Sequence, residues 1–184
     1  MSRFAGRSLD RVYFIFLLCH IPATLVMDGQ AVYPSWMVSG PLEALAEWYL
    51  NFLRDPIMAG VFAKDPTMRF MMPFFYLEMF FQLPCFVLGA VGLWKSATWP
   101  YSLTPDDRRV WPLLVAYGAS TATTLLPVLQ RLLFDTKTSP PLTAAELAGL
   151  LGCYVPFLAI PLLMAVDLGF RIAKLLGGGS RKNV

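Results

Sequence analysis

Apolar positions cluster into long stretches along the chain, and these stretches predict helices that cross a membrane. Four segments carry almost no formal charge: 12–27, 70–94, 110–130 and 147–166. A spanning helix needs about 20 apolar residues, so each segment is long enough or nearly so. A helix also satisfies its own backbone hydrogen bonds inside lipid. The pattern therefore predicts an all-α fold, a bundle of four transmembrane helices that forms one domain over residues 1–184.

Prolines recur inside these four segments. They are Pro22, Pro73, Pro84, Pro112, Pro127, Pro156 and Pro161. An interior proline removes a helical hydrogen bond and bends the helix axis. Bends in all four segments predict kinked helices that bow apart and enclose a pocket.

A shorter amphipathic pattern predicts a further helix from Pro41 to Asp55. Apolar side chains recur there at helical spacing, at Leu42, Leu45, Tyr49 and Phe52. Two interpretations are open, since such a helix could lie on the membrane interface or act as a lid over a cavity. At the other end of the chain, the stretch Gly177–Ser180 predicts a flexible tail over residues 175–184.

Composition narrows the class of protein. The chain is 57% hydrophobic and 15% charged, whereas soluble domains contain about 25% charged residues. A soluble protein of this kind would expose a large apolar surface. The net charge of +3 is too small to indicate nucleic acid as a partner. These values argue against a soluble enzyme or a nucleic-acid-binding domain and leave an integral membrane protein.

Lysine and arginine positions predict the orientation. Ten lie at the two termini and in the loop between the second and third segments, and five lie on the other side. Because basic loops stay in the cytosol, both termini should be cytosolic and the loop with the amphipathic helix lumenal. The first segment could instead be a cleaved signal peptide, but Asp28-Gly29-Gln30 does not resemble a cleavage site, which favours a retained helix.

The cysteines and the histidine give no indication of a metal or a cofactor. Cys19, Cys85 and Cys153 each lie in an apolar run, where cysteine usually serves as a small buried hydrophobe. An odd number of cysteines at such positions does not indicate a disulfide framework. His20 is the only histidine, which excludes a site with several histidine ligands. No metal and no cofactor are predicted.

The candidate chemistry lies in ionisable groups within the apolar segments, where they are costly and mark functional sites by default. Glu78 lies in the second segment, with Gln82 one turn later. His20 and Asp28 lie two turns apart in the first, with Thr24 between them on the same side. If these segments are neighbours, Asp28 and Glu78 converge. Two carboxyls in an apolar pocket would share a proton, an arrangement suited to a cationic amine or a developing carbocation.

Each of these positions also has a structural interpretation. Asp28 could end the first span at the water interface, and Glu78 could be a neutral acid bonded to a neighbouring helix. Tyr154 could line a pocket or only bond across helices. Threonine hydroxyls often bond to their own helix, as could those of Thr121, Thr123 and Thr124.

Several short motifs follow one another along nearly the whole chain. They are His20-Ile21-Pro22, Met27-Asp28, Asp55-Pro56, Phe81-Gln82-Leu83-Pro84, Thr123-Thr124-Leu125 and Ile160-Pro161. Their order and spacing resemble the sigma-2 receptor family of the EXPERA superfamily, which also contains the emopamil-binding sterol isomerases. Its fungal members include efficient mitochondria targeting-associated proteins.

The resemblance implies a membrane protein of the endoplasmic reticulum, often a homodimer, with a pocket for sterols and cationic amphiphiles. It implies a role in sterol homeostasis or trafficking rather than in catalysis. Asp28 would pair with a ligand amine, Glu78 would be its hydrogen-bonded partner, and Asp55 would support binding through structure. The pocket would be lined by His20, Met27, Gln82, Thr121 and Tyr154.

Two other functions, and a role for the last residues as a targeting signal, are left as alternatives by the sequence. A sterol isomerase needs an acid and a base, which Asp28, Glu78 and His20 could supply. An interaction protein could instead assist mitochondrial precursors at the reticulum surface. The last residues, 181–184, resemble a dilysine-type retrieval signal but could equally be a solvated basic tail.

Overall fold

The computed structural model describes residues 7–98, 109–135 and 138–179. Within those ranges the chain forms seven α-helices: α1 (Ser8–Val26), α2 (Gly40–Leu53), α3 (Pro56–Phe62), α4 (Met72–Leu77), α5 (Leu83–Thr98), α6 (Val110–Gln130) and α7 (Ala144–Gly179). Turns of 3-10 helix occupy Asp28–Ala31 and Pro66–Met71, and π-helical turns occupy Glu78–Gln82 and Arg131–Asp135.

Four helical stretches are long and apolar enough to cross a membrane: Ser8–Ala31, Pro66–Lys95, Val110–Asp135 and Ala144–Gly177. Each contains one of the four predicted segments, which confirms the all-α, four-span architecture. The helices extend past the charged residues that limit the apolar segments. The last one runs to Gly179, beyond the predicted start of the tail at residue 175. The predicted retrieval signal at 181–184 lies outside the described residues.

All four spans contain an interruption of regular α-helical hydrogen bonding. Prolines lie inside α1 at Pro22, inside α6 at Pro127 and inside α7 at Pro156 and Pro161. In the second span, a π-helical turn joins α4 to α5. Prolines and π turns are both usual causes of helix kinks. The sequence analysis predicted kinks from the prolines but did not predict the π-helical turn.

The amphipathic helix α2 forms where it is predicted, but the prediction that Phe52 belongs to its buried apolar stripe is wrong. Tyr49, Leu50 and Leu53 pack against the core, whereas Phe52 is 69% exposed. Each residue turns a helix by about 100°, which places Phe52 nearer to Trp48 than to Tyr49. Asp55 does not continue α2 but begins the short helix α3, which the sequence analysis did not predict.

Two core clusters pack at opposite ends of the bundle. One joins α1, α5, α6 and α7 through Leu17, Phe86, Leu114, Met164 and their neighbours. The other packs α3 and the 3-10 turn Pro66–Met71 against the second, third and fourth spans, around Ile57, Met71, Phe75, Val128 and Leu150. The cavity described below includes residues of the second cluster in its wall.

Helices α6 and α7 approach closely at Gly118. A β-carbon at that position would lie 2.3 Å from the carbonyl oxygen of Pro161. Small residues at helix crossings let membrane helices pack through their backbones. This crossing therefore accommodates glycine and no larger residue without a shift of one helix.

Charged side chains link α1 to α7, the last helix of the chain, near the start of α1. Asp10 is fully buried and accepts hydrogen bonds from Arg7 in its own helix and from Arg171 of α7, the latter at 2.7 Å. Arg171 also binds Asp167, which accepts a hydrogen bond of 3.1 Å from the Tyr13 hydroxyl. Each acid thus has a basic partner, as charges within a membrane protein require.

Candidate functional site

A cavity of about 310 Å³ opens between the spans near the end of α1. Its wall includes all seven residues that the sequence analysis predicts for a ligand pocket: His20, Met27, Asp28, Glu78, Gln82, Thr121 and Tyr154. All four spans contribute them, and α2 adds Tyr49. Ligand pockets commonly hold about 300–1,000 Å³, so the cavity has the size of a small-molecule site.

Local helix geometry explains why the polar side chains share one wall. His20 and Thr24 are one turn apart in α1, and both are buried. Asp28 follows one turn later, where the helix tightens into a 3-10 turn. On the facing span, the π-helical turn begins at Glu78 and ends at Gln82, and both side chains reach the cavity. Such π turns occur frequently at functional sites.

Glu78 is the centre of the polar cluster. Its Oε1 atom accepts a hydrogen bond of 2.5 Å from the Thr24 hydroxyl and lies 3.6 Å from His20 Nε2. The Asp28 side chain lies next to that of Glu78, and both line the cavity. The structure therefore brings the two carboxyls together across the first two spans, as the spacing in the sequence predicts.

Aromatic rings hold the His20 imidazole in place. The ring stacks on Phe86 with centroids 4.3 Å apart and an interplanar angle of 18°, and Phe157 lies 4.6 Å away on another side. His20 Nδ1 lies 3.4 Å from the Tyr117 hydroxyl. If that hydroxyl donates to Nδ1, the proton of neutral His20 lies on Nε2 and points toward Glu78.

Asp55 is fully buried and all of its bonds are made to protein groups. One carboxylate oxygen caps α3 by accepting hydrogen bonds from the backbone N–H groups of Ile57 at 2.9 Å and Met58 at 3.2 Å. The other oxygen accepts hydrogen bonds from the hydroxyls of Tyr49 and Tyr154, both at 2.7 Å. Asp55 thus holds two tyrosines that line the cavity.

The Tyr49 hydroxyl is a hydrogen-bond donor in this arrangement. Burial, together with the negative charge of Asp55, raises the pKa of Tyr49 above its ordinary value. The phenol therefore stays protonated and keeps donating to the carboxylate. Tyr49 was predicted as part of the apolar stripe of α2 and not as a cavity residue, because helical spacing does not show that its hydroxyl binds Asp55.

The three threonines of α6 have different roles. Thr123 donates to the carbonyl of Ala119 at 2.8 Å and faces outward, and Thr124 also donates to its own helix. Thr121 is buried in the cavity wall. Its hydroxyl lies beside that of Tyr117 but forms no hydrogen bond of good geometry with any described residue. The hydroxyls of Thr123 and Thr124 therefore bond to their own helix, whereas that of Thr121 does not.

Apart from Thr124, the rest of the cavity wall is largely apolar. Its side chains include Met58, Met71, Phe74, Phe75, Leu125, Val128 and Phe157. The sequence analysis did not assign these residues to a pocket, because an apolar residue in a span has the same pattern whether it faces lipid, core or cavity. Among the described residues, no three His, Cys, Asp or Glu side chains are grouped to hold a metal ion.

Comparisons with known proteins agree on one family. The family model described as EXPERA (EXPanded EBP superfamily) matches residues 41–168. The chain is 31% identical to sigma intracellular receptor 2 of Macaca fascicularis over 167 residues, which are 87% of this chain and 86% of that protein. It is 30% identical to the Homo sapiens protein of the same name, with the same coverage. It is also 28% identical to efficient mitochondria targeting-associated protein 19 of Schizosaccharomyces pombe, over 90% of this chain and 78% of that protein.

Proposed function

This chain belongs to the EXPERA family, and on that premise we propose that it is a non-enzymatic binding protein of the endoplasmic reticulum membrane. Its ligands are sterols or other lipids and cationic amphiphiles, and its role lies in sterol homeostasis or trafficking. The observation that carries the proposal is the cluster of Asp28, Glu78 and His20 in the wall of a largely apolar cavity, with Thr24 bonded to Glu78 behind it.

The carboxyl pair suits a cationic head group. Two acids in contact within an apolar cavity are most stable when one proton is shared between them, which leaves one negative charge. A ligand ammonium at Asp28 would neutralise that charge, and Glu78, which lines the same cavity, would share the proton with Asp28. Transferring an amine into this cavity without such a partner would be costly.

The apolar wall suits the body of the same ligand. Phe74, Phe75 and Phe157 offer aromatic surface, and Met58 and Met71 offer side chains that adapt to irregular shapes. A sterol has a large apolar ring system and one hydroxyl, so it matches a cavity with polar groups at one wall.

The lipid content of the purified protein tests this proposal. We would extract the protein with organic solvent and identify bound lipids by mass spectrometry, comparing Thr121→Phe with Thr123→Phe. The first variant fills the cavity, whereas the second places the same ring on the outward face of the same helix. We expect the sterol or lipid of the wild type to persist in Thr123→Phe and to disappear in Thr121→Phe. Equal retention by both variants would locate the lipid outside the cavity.

A sterol isomerase is a second candidate, favoured by the 3.6 Å between His20 Nε2 and Glu78 Oε1. These groups and Asp28 could protonate an alkene and remove another proton. Incubating the purified protein with unsaturated sterols in deuterated water distinguishes the two functions. An isomerase would shift the double bond and incorporate deuterium, whereas a binding protein would return the sterol unchanged.

A third candidate is an interaction protein for mitochondrial precursors, favoured by the similarity to efficient mitochondria targeting-associated protein 19. Crosslinking to newly made precursor proteins would support it.

We also propose a multi-pass protein with both termini in the cytosol that forms a homodimer. Crosslinking of the protein in native membranes tests the dimer.

A further inference from the structure

Helix α2 has three distinct faces around its axis. The first face packs on the protein through Ala46, Tyr49, Leu50 and Leu53. The second face is aromatic and exposed, with Trp48 at 60% and Phe52 at 69% of full exposure. The third carries the exposed acids Glu43 and Glu47. At about 100° per residue, Glu43 and Glu47 lie roughly 100–140° around the helix from Trp48 and roughly 120–160° from Tyr49.

The aromatic face is ordered rather than a set of scattered side chains. The rings of Trp48 and Phe52 stack with centroids 5.4 Å apart and an interplanar angle of 5°. Trp36, in the segment leading to α2, is 81% exposed. A tryptophan has an apolar body and one N–H donor, so it favours the boundary between lipid and water over either phase alone.

Hydrogen bonds tie both ends of α2 to the ends of membrane spans. Near its start, the Gln30 side chain donates to the carbonyl of Leu42 at 3.1 Å and to that of Val26 at 2.6 Å in α1. Just after its end, Arg54 donates to Glu146 at 2.8 Å in the first turn of α7. Helix α2 therefore lies at the level where two spans begin or end, which is the level of the membrane surface.

We propose that the Trp48–Phe52 face of α2 is a membrane-binding surface that inserts into the lipid interface beside the bundle. The spans also expose many large apolar side chains, as a surface that faces lipid does. The exposed acids Glu43 and Glu47 then point to water, because they lie roughly 100–140° around the helix from Trp48. This assignment does not depend on what the cavity binds.

The proposal also relates the two interpretations of α2 that the sequence left open. One face lies in the interface, and the adjacent face places Tyr49 in the cavity wall. The helix is thus held between lipid and cavity.

Fluorescence quenching in nanodiscs tests the surface. We would prepare nanodiscs of phosphatidylcholine, either unmodified or brominated near the glycerol end of the acyl chains, and compare the wild type with Trp48→Phe. The difference between their signals belongs to Trp48, and an exposed Trp→Phe change leaves the fold intact. We expect this difference signal to be lost in brominated lipid and to resist quenching by acrylamide.

A matched control places the probe one residue away. In the Trp48→Phe background, Glu47→Trp moves the indole to the acidic face. We expect that indole to be quenched by acrylamide and to be unaffected by brominated lipid. A Trp48 signal that follows the control would mean that the aromatic face points to water. A Trp48 signal reached by neither quencher would mean that protein covers the face, and either result would overturn the proposal.

Discussion

Replacing Asp28 by asparagine tests the charge pairing that the cavity is proposed to provide. The variant keeps the size of the side chain and an oxygen that accepts hydrogen bonds, but it removes one carboxyl of the pair. Glu78 keeps its 2.5 Å hydrogen bond from Thr24 and its neighbour His20, so the shape of the wall is preserved. The change therefore isolates charge from geometry.

The expected loss for a cationic amphiphile is large. Removing one partner of a buried, hydrogen-bonded ion pair costs about 2–5 kcal/mol, because the other charge stays desolvated without compensation. That corresponds to a roughly thirty-fold to four-thousand-fold increase in Kd. A neutral sterol has no charge to pair, so its affinity should change much less.

Equilibrium binding in nanodiscs measures this prediction for both ligands. Glu78→Gln should cost less than Asp28→Asn, because an amide can donate to Asp28 and still accept from Thr24. Asp65→Asn is the control, since Asp65 only caps a 3-10 turn at Thr67 N, away from the cavity wall. Wild-type amphiphile affinity in Asp28→Asn would show that no ion pair forms there. Equal losses for amphiphile and sterol would point to a distorted cavity and would also refute the argument from charge.

Three other outcomes follow from the structure. Cysteines introduced at Ser35 and Ser180 should react with membrane-impermeant reagents from opposite sides, and labelling from one side would overturn the orientation and the span count. Asp55→Asn should destabilise the fold by about 1–3 kcal/mol because one buried acceptor becomes an amide, measured as a lower Tm, whereas Asp65→Asn should leave Tm nearly unchanged. Gly118→Val should lower Tm as well, by a cost of about 1–3 kcal/mol, since its side chain meets the Pro161 backbone; an unchanged Tm would show that the helices can separate there.

The sequence predicted the features that depend on short-range spacing. Apolar length gave the four spans, and a spacing of four residues placed His20 and Asp28 in the cavity wall, with Thr24 between them bonded to Glu78. Glu78 stood out because it is the one acid in its apolar segment. These inferences need only helical geometry and the cost of a charge in lipid.

Features that depend on a partner far along the chain could not be predicted in this way. The role of Asp55 is set by Tyr154, which lies on another helix. Phe52 has the composition of a buried residue, and only the packing of α2 shows that it faces outward. The π-helical turn at Glu78–Gln82 contains no proline, so an argument from interior prolines does not locate it.

The ion pair between Asp10 and Arg171 has a consequence for the order in which the protein is made. The two residues are 161 positions apart, so α1 is synthesised long before its partner in α7. During that interval the partner available to Asp10 in its own helix is Arg7. A nascent chain that stops before Arg171 leaves the Oδ1 atom of Asp10 without the hydrogen bond that Arg171 donates. Assembly of this bundle is therefore completed only when the last helix made reaches the first.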